Sequence, residues 1–156
     1  MPFAGRTFTT TPLDPIAVDA NVLVYALYRD APQHATSRAF LERAQRGHLT
    51  LCLTSQTLAE FFSIVTSAKR VSDPRTPQEA VSAIQSILAL PGAALLPVPA
   101  DVTSRWLDLL SRRPVRAGAI FDLQLIATLA ANGVDRICTF NRADFEGFPG
   151  LEIVTP

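Results

Sequence analysis

The sequence is poor in the residues on which several common kinds of enzyme depend, with one lysine, two histidines and two cysteines. Because Lys69 is the single lysine, most mechanisms that need a lysine nucleophile or a lysine on phosphate are excluded. His34 and His48 have no evident partner for acid–base catalysis. Cys52 and Cys138 lie in apolar runs without metal-ligand spacing, which is typical of buried, reduced thiols. We therefore expect neither a disulfide scaffold nor histidine-based catalysis.

Formal charge is also balanced, with 14 basic and 14 acidic side chains. No overall field draws the protein to polyanions, so a nucleic-acid ligand would need a local basic patch. Apolar runs fall short of the roughly 20 residues of a membrane span, and the start lacks the charged and apolar regions of a secretory signal. A cytoplasmic protein with no membrane partner is expected. No G-x-S-x-G, Walker or G-x-G-x-x-G motif occurs.

What the sequence does contain is an apolar fraction of 48% and a regular alternation of strand-like and helix-like segments. Residues 1–15, rich in threonine and proline, predict a flexible arm, and residues 16–156 predict one domain. Strands are predicted at 16–18, 49–53, 94–98, 136–140 and 152–154. Helices are predicted near 21–28, 32–46, 55–65, 77–90, 102–113 and 119–132. This alternation predicts an α/β fold whose parallel sheet, of four to five strands, is covered by helices on both faces.

Four acidic residues, Asp19, Glu60, Asp122 and Asp144, stand where such a fold could bring them to one end of the sheet. Open α/β sheets bind ligands beyond the carboxyl ends of their strands, where the strand order reverses. A cluster of carboxylates is a set of oxygen ligands suited to Mg²⁺ or Mn²⁺, and it repels phosphate unless a metal lies between them. Metal-dependent phosphodiester hydrolysis is therefore predicted.

The first two acids also have structural interpretations. Asp19 could cap the first helix, since Asp is a favoured N-cap after a strand. Glu60 could close a capping box with Thr57, unless its helix begins earlier, near Thr54 or Ser55. Either role would account for the residue without any metal.

The other two acids have comparable alternatives. Asp122 could be a cap, but if its helix begins near Ala119 it shares a face with Ile126 and Leu129. A carboxylate on an apolar face is costly unless it is paired or bound to a cation. Asp144 could belong to an Asx turn. Because four caps need not coincide at one sheet edge, the joint interpretation as a metal site is preferred.

In the segments that carry these acids, the chain resembles the PIN-domain ribonucleases, and most closely the VapC-type toxins of prokaryotic toxin–antitoxin pairs. The matching segments are 16–23 (IAVDANVL), 58–61 (LAEF), 120–127 (IFDLQLIA) and 137–145 (ICTFNRADF). The resemblance implies a three-layer α/β/α fold, a Mg²⁺ or Mn²⁺ site and cleavage of single-stranded or structured RNA. It also implies a homodimer and inhibition by a cognate antitoxin protein.

The resemblance also assigns roles to particular residues. Asp19, Glu60 and Asp122 match the invariant acids of the family, and Asp144 and Asn141 match its more variable fourth position. These four residues form the predicted catalytic and metal-binding set. The predicted supporting residues are Asn21, Thr139 and Asn141.

A basic cluster precedes the third of these acids and consists of Arg112, Arg113 and Arg116. These arginines could grip RNA phosphates near the metal site, and a solvated run of charge is the simpler alternative. Phe121 and Phe145 are predicted to be core residues rather than platforms for bases.

Two other functions remain open. A haloacid-dehalogenase-like phosphatase also places an aspartate after its first strand, but that chemistry requires a second acid two positions later, where this chain has Asn21. A catalytically inactive PIN-fold binding module would keep the fold without the reaction. Turnover of an aryl phosphate would indicate the first, and stable RNA binding without cleavage under any metal would indicate the second.

Overall fold

The computed structural model describes residues 15–156, in which five β-strands and seven α-helices alternate. The strands are β1 (Pro15–Val18), β2 (Thr50–Leu53), β3 (Ala93–Leu95), β4 (Arg136–Cys138) and β5 (Glu152–Val154). The helices are α1 (Ala20–Leu27), α2 (His34–Gln45), α3 (Ser55–Val65), α4 (Pro77–Leu88), α5 (Val102–Arg112), α6 (Ile120–Ala131) and α7 (Arg142–Phe145). The predicted arm at 1–15 lies outside the described residues, apart from Pro15, which begins β1. No helix within 15–156 has the length and apolar character needed to cross a bilayer.

All five strands run parallel, in the order β3-β2-β1-β4-β5. From β1 the chain moves outward to β2 and β3, and it then returns to place β4 on the other side of β1. The strand order therefore reverses between β1 and β4, which is where open α/β sheets bind ligands. The predicted parallel sheet of four to five strands is confirmed, with β5 at the edge beside β4.

Side chains of the central strands alternate between the two faces of the sheet, as the pleat requires. Ile16 and Val18 pack into one core with helices α1 to α4, whereas Ala17 packs into a second core with α6 and α7. Strand β2 divides in the same way, with Leu51 in the first core and Cys52 in the second. The predicted three-layer α/β/α arrangement is thus confirmed.

Boundaries near the sheet edge differ slightly from the prediction. Strand β3 ends three residues before position 98, because Pro97 and Pro99 lack the N–H that a strand requires. Strand β4 ends at Cys138, so Thr139 follows the strand. Residues 142–145, whose polar composition suggests a turn, form the short helix α7. These shifts place Thr139 at the mouth of the sheet, beside the residue that follows β1.

Candidate active site

Asp19 lies at the reversal of strand order, directly after β1 and at the N-cap position of α1. Its side chain nevertheless makes no capping hydrogen bond to that helix. Instead, Oδ2 accepts hydrogen bonds from the Thr139 hydroxyl, at 2.7 Å, and from Asn21 Nδ2, at 3.0 Å. The orientation of the carboxylate is therefore set by two side chains and not by helix capping.

Thr139 joins the ends of β1 and β4. The residue is fully buried, and its hydroxyl accepts from the backbone N–H of Asn141, at 2.9 Å, as well as donating to Asp19. Asn21 adds a second link, because its Oδ1 accepts from the Phe140 N–H at 3.4 Å and its Nδ2 lies 3.3 Å from Thr139 Oγ1. All three predicted supporting residues thus take part in the network around Asp19. Thr139 and Asn21 do so through their side chains, and Asn141 does so through its backbone N–H.

Glu60 lies in the second turn of α3 and has no role in capping that helix. The N-cap is Thr54, whose side chain accepts from the Thr57 N–H at 3.1 Å, so the alternative capping box is wrong. Glu60 Oε1 accepts instead from Gln56 Nε2, at 2.8 Å. With that alternative removed, the half-buried Glu60 carboxylate is available to the cleft.

Gln56 is absent from the predicted site, yet it connects two of the acids. Its Nε2 also donates to the backbone carbonyl of Phe121, at 2.8 Å. One amide group therefore joins Glu60 on α3 to the first turn of α6, which carries Asp122. The one feature of the sequence that could have indicated a role for Gln56 is its position one turn before Glu60, on the same face of the helix.

Asp122 is the third residue of α6, after the N-cap Ala119. The residue that would cap the helix is thus an alanine, and Asp122 shares its side of α6 with the buried Ile126 and Leu129, as expected. The neighbouring Phe121 is 53% exposed, so its prediction as a core residue is wrong. The corresponding prediction for Phe145, which is buried, is confirmed.

Asp144 extends from α7 and completes the set of acids. Its backbone N–H donates to the Asn141 carbonyl at 3.2 Å, and the Asn141 side chain makes no capping hydrogen bond. A single cleft of about 850 Å³ is lined by all four predicted acids and by two predicted supporting residues, namely Asp19, Glu60, Asp122, Asp144, Asn21 and Asn141. The structure therefore brings together the four carboxylates that the sequence separates.

The carboxylates are close enough to perturb one another electrostatically. Burial, followed by the negative charges of Asp144, Asp19 and Glu60, raises the pKa of Asp122 to about 6. Burial also raises the pKa of Asp19, and the hydrogen bond from Thr139 offsets part of that rise. Like charges in a partly buried cleft are unfavourable unless protons or a cation neutralise them.

These side chains do not form a closed ligand cage. Among residues 15–156, no group of three or more His, Cys, Asp or Glu side chains is arranged so that it could hold a metal ion. Repulsion between charges acts over many ångströms, whereas ligation of Mg²⁺ requires oxygens at about 2.0–2.1 Å. Carboxylate oxygens are nevertheless the donors that a hard divalent cation prefers, so the chemistry of the four side chains fits Mg²⁺ or Mn²⁺.

The predicted RNA-binding arginines, Arg112, Arg113 and Arg116, do not line this cleft. Arg112 pairs with an aspartate one turn earlier in α5, at 3.0 Å. Arg113 donates to the carbonyl of Glu146, and its guanidinium lies over the Phe148 ring, 4.4 Å from the centroid. Arg113 therefore has a structural task in holding the segment after α7. Contact of these arginines with RNA stays a prediction.

The family model of the PIN domain matches residues 16–150. The chain is 31% identical to ribonuclease VapC24 of Mycobacterium tuberculosis over 134 residues, which cover 85% of this chain and 90% of that protein. It is 40% identical to ribonuclease VapC43 of the same species over 81 residues, 52% of this chain and 55% of that protein, so the match spans about half of this relative. The chain belongs to the PIN-domain family and, within it, to the VapC group.

Solved structures with the same fold include VapBC2 from Rickettsia felis bound to a DNA fragment from its promoter. Its TM-score is 0.65 at 19% identity, with coverage of 90% of this chain and 98% of that one. A toxin–antitoxin complex from Klebsiella pneumoniae gives a TM-score of 0.59 at 18% identity, covering 90% and 97%. At these identities the likeness shows the fold alone. Membership of the PIN-domain family argues against the haloacid-dehalogenase alternative. That chemistry also requires a second acid at the position where this chain has Asn21.

Proposed function

We propose that the protein is a metal-dependent endoribonuclease that cleaves single-stranded or structured RNA as the toxin of a type II toxin–antitoxin system. The observation that carries this proposal is the convergence of Asp19, Glu60, Asp122 and Asp144 on one cleft. Support comes from the relatives that align with most of the chain, because both VapC24 and VapC33 are named ribonucleases.

The four carboxylates are the groups that would hold Mg²⁺ or Mn²⁺. When bound, a divalent cation supplies Lewis-acid activation of water and neutralises charge on the phosphodiester. Asp19, held by Thr139 and Asn21, offers a carboxylate of set orientation. Glu60, Asp122 and Asp144 lie on three different helices and complete the set of four. Their combined negative charge repels an RNA phosphate until it is compensated, which couples substrate binding to the cation.

The same proposal includes the partners and the compartment. A cognate antitoxin is proposed because a structural relative was solved as a toxin–antitoxin complex. A homodimer and a cytoplasmic location, where RNA is available, complete the proposal. The exposed side chain of Phe121 and the exposed Leu107 on α5 leave apolar surface that a second subunit could cover.

The direct test of the enzymatic proposal is removal of the metal. Purified protein should cleave single-stranded RNA with Mn²⁺ or Mg²⁺, lose cleavage in EDTA and regain it when the cation is restored. An aryl phosphate should not be turned over. Stable RNA binding with no cleavage under any divalent cation would contradict the proposal and favour the inactive binding module.

A separate test addresses the toxin proposal. Strong expression should arrest growth, and co-expression of the cognate antitoxin should relieve the arrest. Normal growth during accumulation of active protein would contradict the toxin role, while leaving the nuclease activity in place.

A further inference from the structure

The cleft continues well beyond the four acids. Its far end is formed by the loop after α1, which carries Arg29, and by the α3–α4 loop, which carries Arg70 and Arg75. Tyr28 lines the cleft between these loops. At about 850 Å³, the cleft is in the range of sites for sizeable organic ligands and exceeds what an ion and one phosphate group would fill.

The far end is a built surface. The single hydroxyl proton of Tyr28 is shared between the carbonyls of Val65, 3.3 Å from Oη, and Asp73, 3.1 Å from Oη, which fastens the α3–α4 loop to the end of α1. The Arg75 N–H donates to the Val65 carbonyl at 2.7 Å, and the Arg75 guanidinium lies 5.3 Å from the Tyr28 ring centroid. The loop is thus anchored at both Val65 and Asp73.

A capping box fixes the other end of the same loop. Glu79 Oε2 accepts from the Thr76 N–H at 2.8 Å, and the Thr76 hydroxyl accepts from the Glu79 N–H at 3.2 Å. Pro77 stands at the start of α4, where it favours helix initiation. The loop that carries Arg70 therefore leaves α3 and enters α4 at defined positions.

The arginines at this end differ in what they bind. Arg75 forms an ion pair with Asp73, at 3.2 Å, so its charge is largely compensated. Arg29 and Arg70 are exposed, and neither forms an ion pair with any residue in the part of the chain that the structure describes. Asp30 also lines this end, which leaves two free guanidinium groups against one carboxylate.

We propose that Arg29 and Arg70 form a subsite for backbone phosphates of the RNA strand next to the bond that is cut, an inference that rests on the proposed nuclease function. The cleft needs a cation at one end and offers two guanidinium groups at the other. A ligand with anionic groups at both ends, repeated along one chain, is a polynucleotide. Arginine provides the planar fork that matches phosphate oxygens.

The test measures RNA binding and cleavage by Arg29→Ala, Arg70→Ala and the double variant in Mn²⁺. We expect KM for a single-stranded RNA to rise about 10-fold in the double variant with kcat little changed, since charge-assisted contacts to phosphates away from the reacting bond are lost. The slope of log Kd against log salt should fall by about 0.7 per phosphate contact removed. Binding for these salt titrations is measured in the Asp19→Asn background, so that the RNA stays intact.

Two controls separate charge from position. Arg38→Ala removes an exposed arginine of α2 that does not line this cleft, and it should leave both KM and the salt slope unchanged. Arg70→Lys keeps the charge without the fork, so it should restore the salt slope and only part of the affinity. The temperature of unfolding and its increase with Mn²⁺ should be the same in all Arg variants.

The possible outcomes distinguish failure of the proposed phosphate subsite from failure of the proposed nuclease function. If the double variant cleaves and binds RNA like the wild type, the subsite is wrong and the nuclease stands. If the wild type neither cleaves nor binds RNA with any divalent cation, the function fails and the subsite fails with it. If the variants keep full RNA affinity but lose binding of the co-expressed antitoxin, this end of the cleft recognises protein and the RNA assignment is overturned.

Discussion

The two halves of the acidic site are held in different ways. At the sheet edge, Asp19 accepts from two side chains, and the residue that donates most closely, Thr139, is itself fully buried. On the helix side, Glu60 and the turn with Asp122 are linked through the single amide of Gln56. The sheet-edge half therefore presents a carboxylate whose orientation is set by two side-chain donors, whereas the helix half depends on a single amide group.

This contrast has a physical basis. Strands β1 and β4 are adjacent and hydrogen-bonded, so residues just beyond them are confined by the sheet. Helices α3 and α6 approach from opposite faces of the sheet, and their meeting depends on side chains. The two halves of the site therefore differ in whether backbone pairing or side-chain contacts hold them in place.

Loss of the anchored carboxylate should have the largest effect. Asp19→Asn should reduce the rate of RNA cleavage on the order of 10²–10³-fold or more, because it removes the charge of a proposed metal ligand while keeping the side-chain shape. Asp122→Asn should be similarly impaired. Single-turnover cleavage in Mn²⁺ measures the effect, and Asp135→Asn, in an exposed loop before β4, is the matched control. Wild-type rates in either site variant would remove these acids from the mechanism.

Thr139→Val tests whether the sheet-edge half is the rigid one. The variant keeps the side-chain shape and removes the hydroxyl that contacts both Asp19 and the Asn141 N–H. We expect the free energy of unfolding to fall by about 1–3 kcal/mol, since buried polar groups lose their partners. Urea denaturation in EDTA measures this, with the exposed Thr103→Val as control. An unchanged midpoint would mean that the network contributes no rigidity.

Gln56→Ala tests the link on the helix side. Removing a residue that orients a metal ligand typically weakens metal affinity about 10-fold or more, and we expect a loss of this size for Mn²⁺. The dependence of the unfolding temperature on Mn²⁺ concentration reports the affinity without any measurement of cleavage. Gln78→Ala, an exposed residue of α4, should behave like the wild type. Equal affinity in both variants would show that Glu60 needs no such support.

The smallest expected effect concerns the burial of Asp122 and its repulsion by the other carboxylates in metal-free protein. Because folding raises the pKa of Asp122 from 3.8 to about 6, its ionised form destabilises the fold above pH 6. This cost declines as the pH falls from 6 towards 3.8 and is absent below. Asp122→Asn should therefore stabilise the metal-free protein at pH 7.5 by on the order of 1 kcal/mol, after allowing for solvent screening.

Chemical denaturation in EDTA at two pH values checks this sign. The stability difference between Asp122→Asn and the wild type should shrink from pH 7.5 to pH 4.5. A difference that grows as the pH falls would mean that Asp122 is stabilised in its ionised form, contrary to the effects of burial and repulsion described above.

Much of the fold could be predicted from local patterns in the sequence. The alternation of elements, the parallel sheet and the placement of Asp19 just after a strand all depend on neighbours along the chain. Local patterns also limited the start of α3 to two positions, near Thr54 or at Thr57. The hydrogen bond from the Thr57 N–H to the Thr54 side chain shows that Thr54 is the N-cap. Local patterns succeed here because hydrogen bonding and side-chain periodicity operate within a few residues.

Other features could not be predicted from the same patterns. Helix α6 is apolar on nearly every side, so its sequence does not indicate that Phe121 faces outward. The task of Arg113 depends on a ring and a carbonyl more than 30 residues away along the chain. The sequence shows only that Gln56 lies one turn before Glu60, and its contact with Phe121 could not be predicted because Phe121 belongs to another helix.

The order of amino acids established which carboxylates exist and where each stands relative to the end of a strand or helix. How those carboxylates are held was settled by the meeting of β1 with β4 and of α3 with α6. The reason is distance along the chain: the hydroxyl that orients Asp19 belongs to Thr139, 120 positions later, and no local interaction specifies that contact.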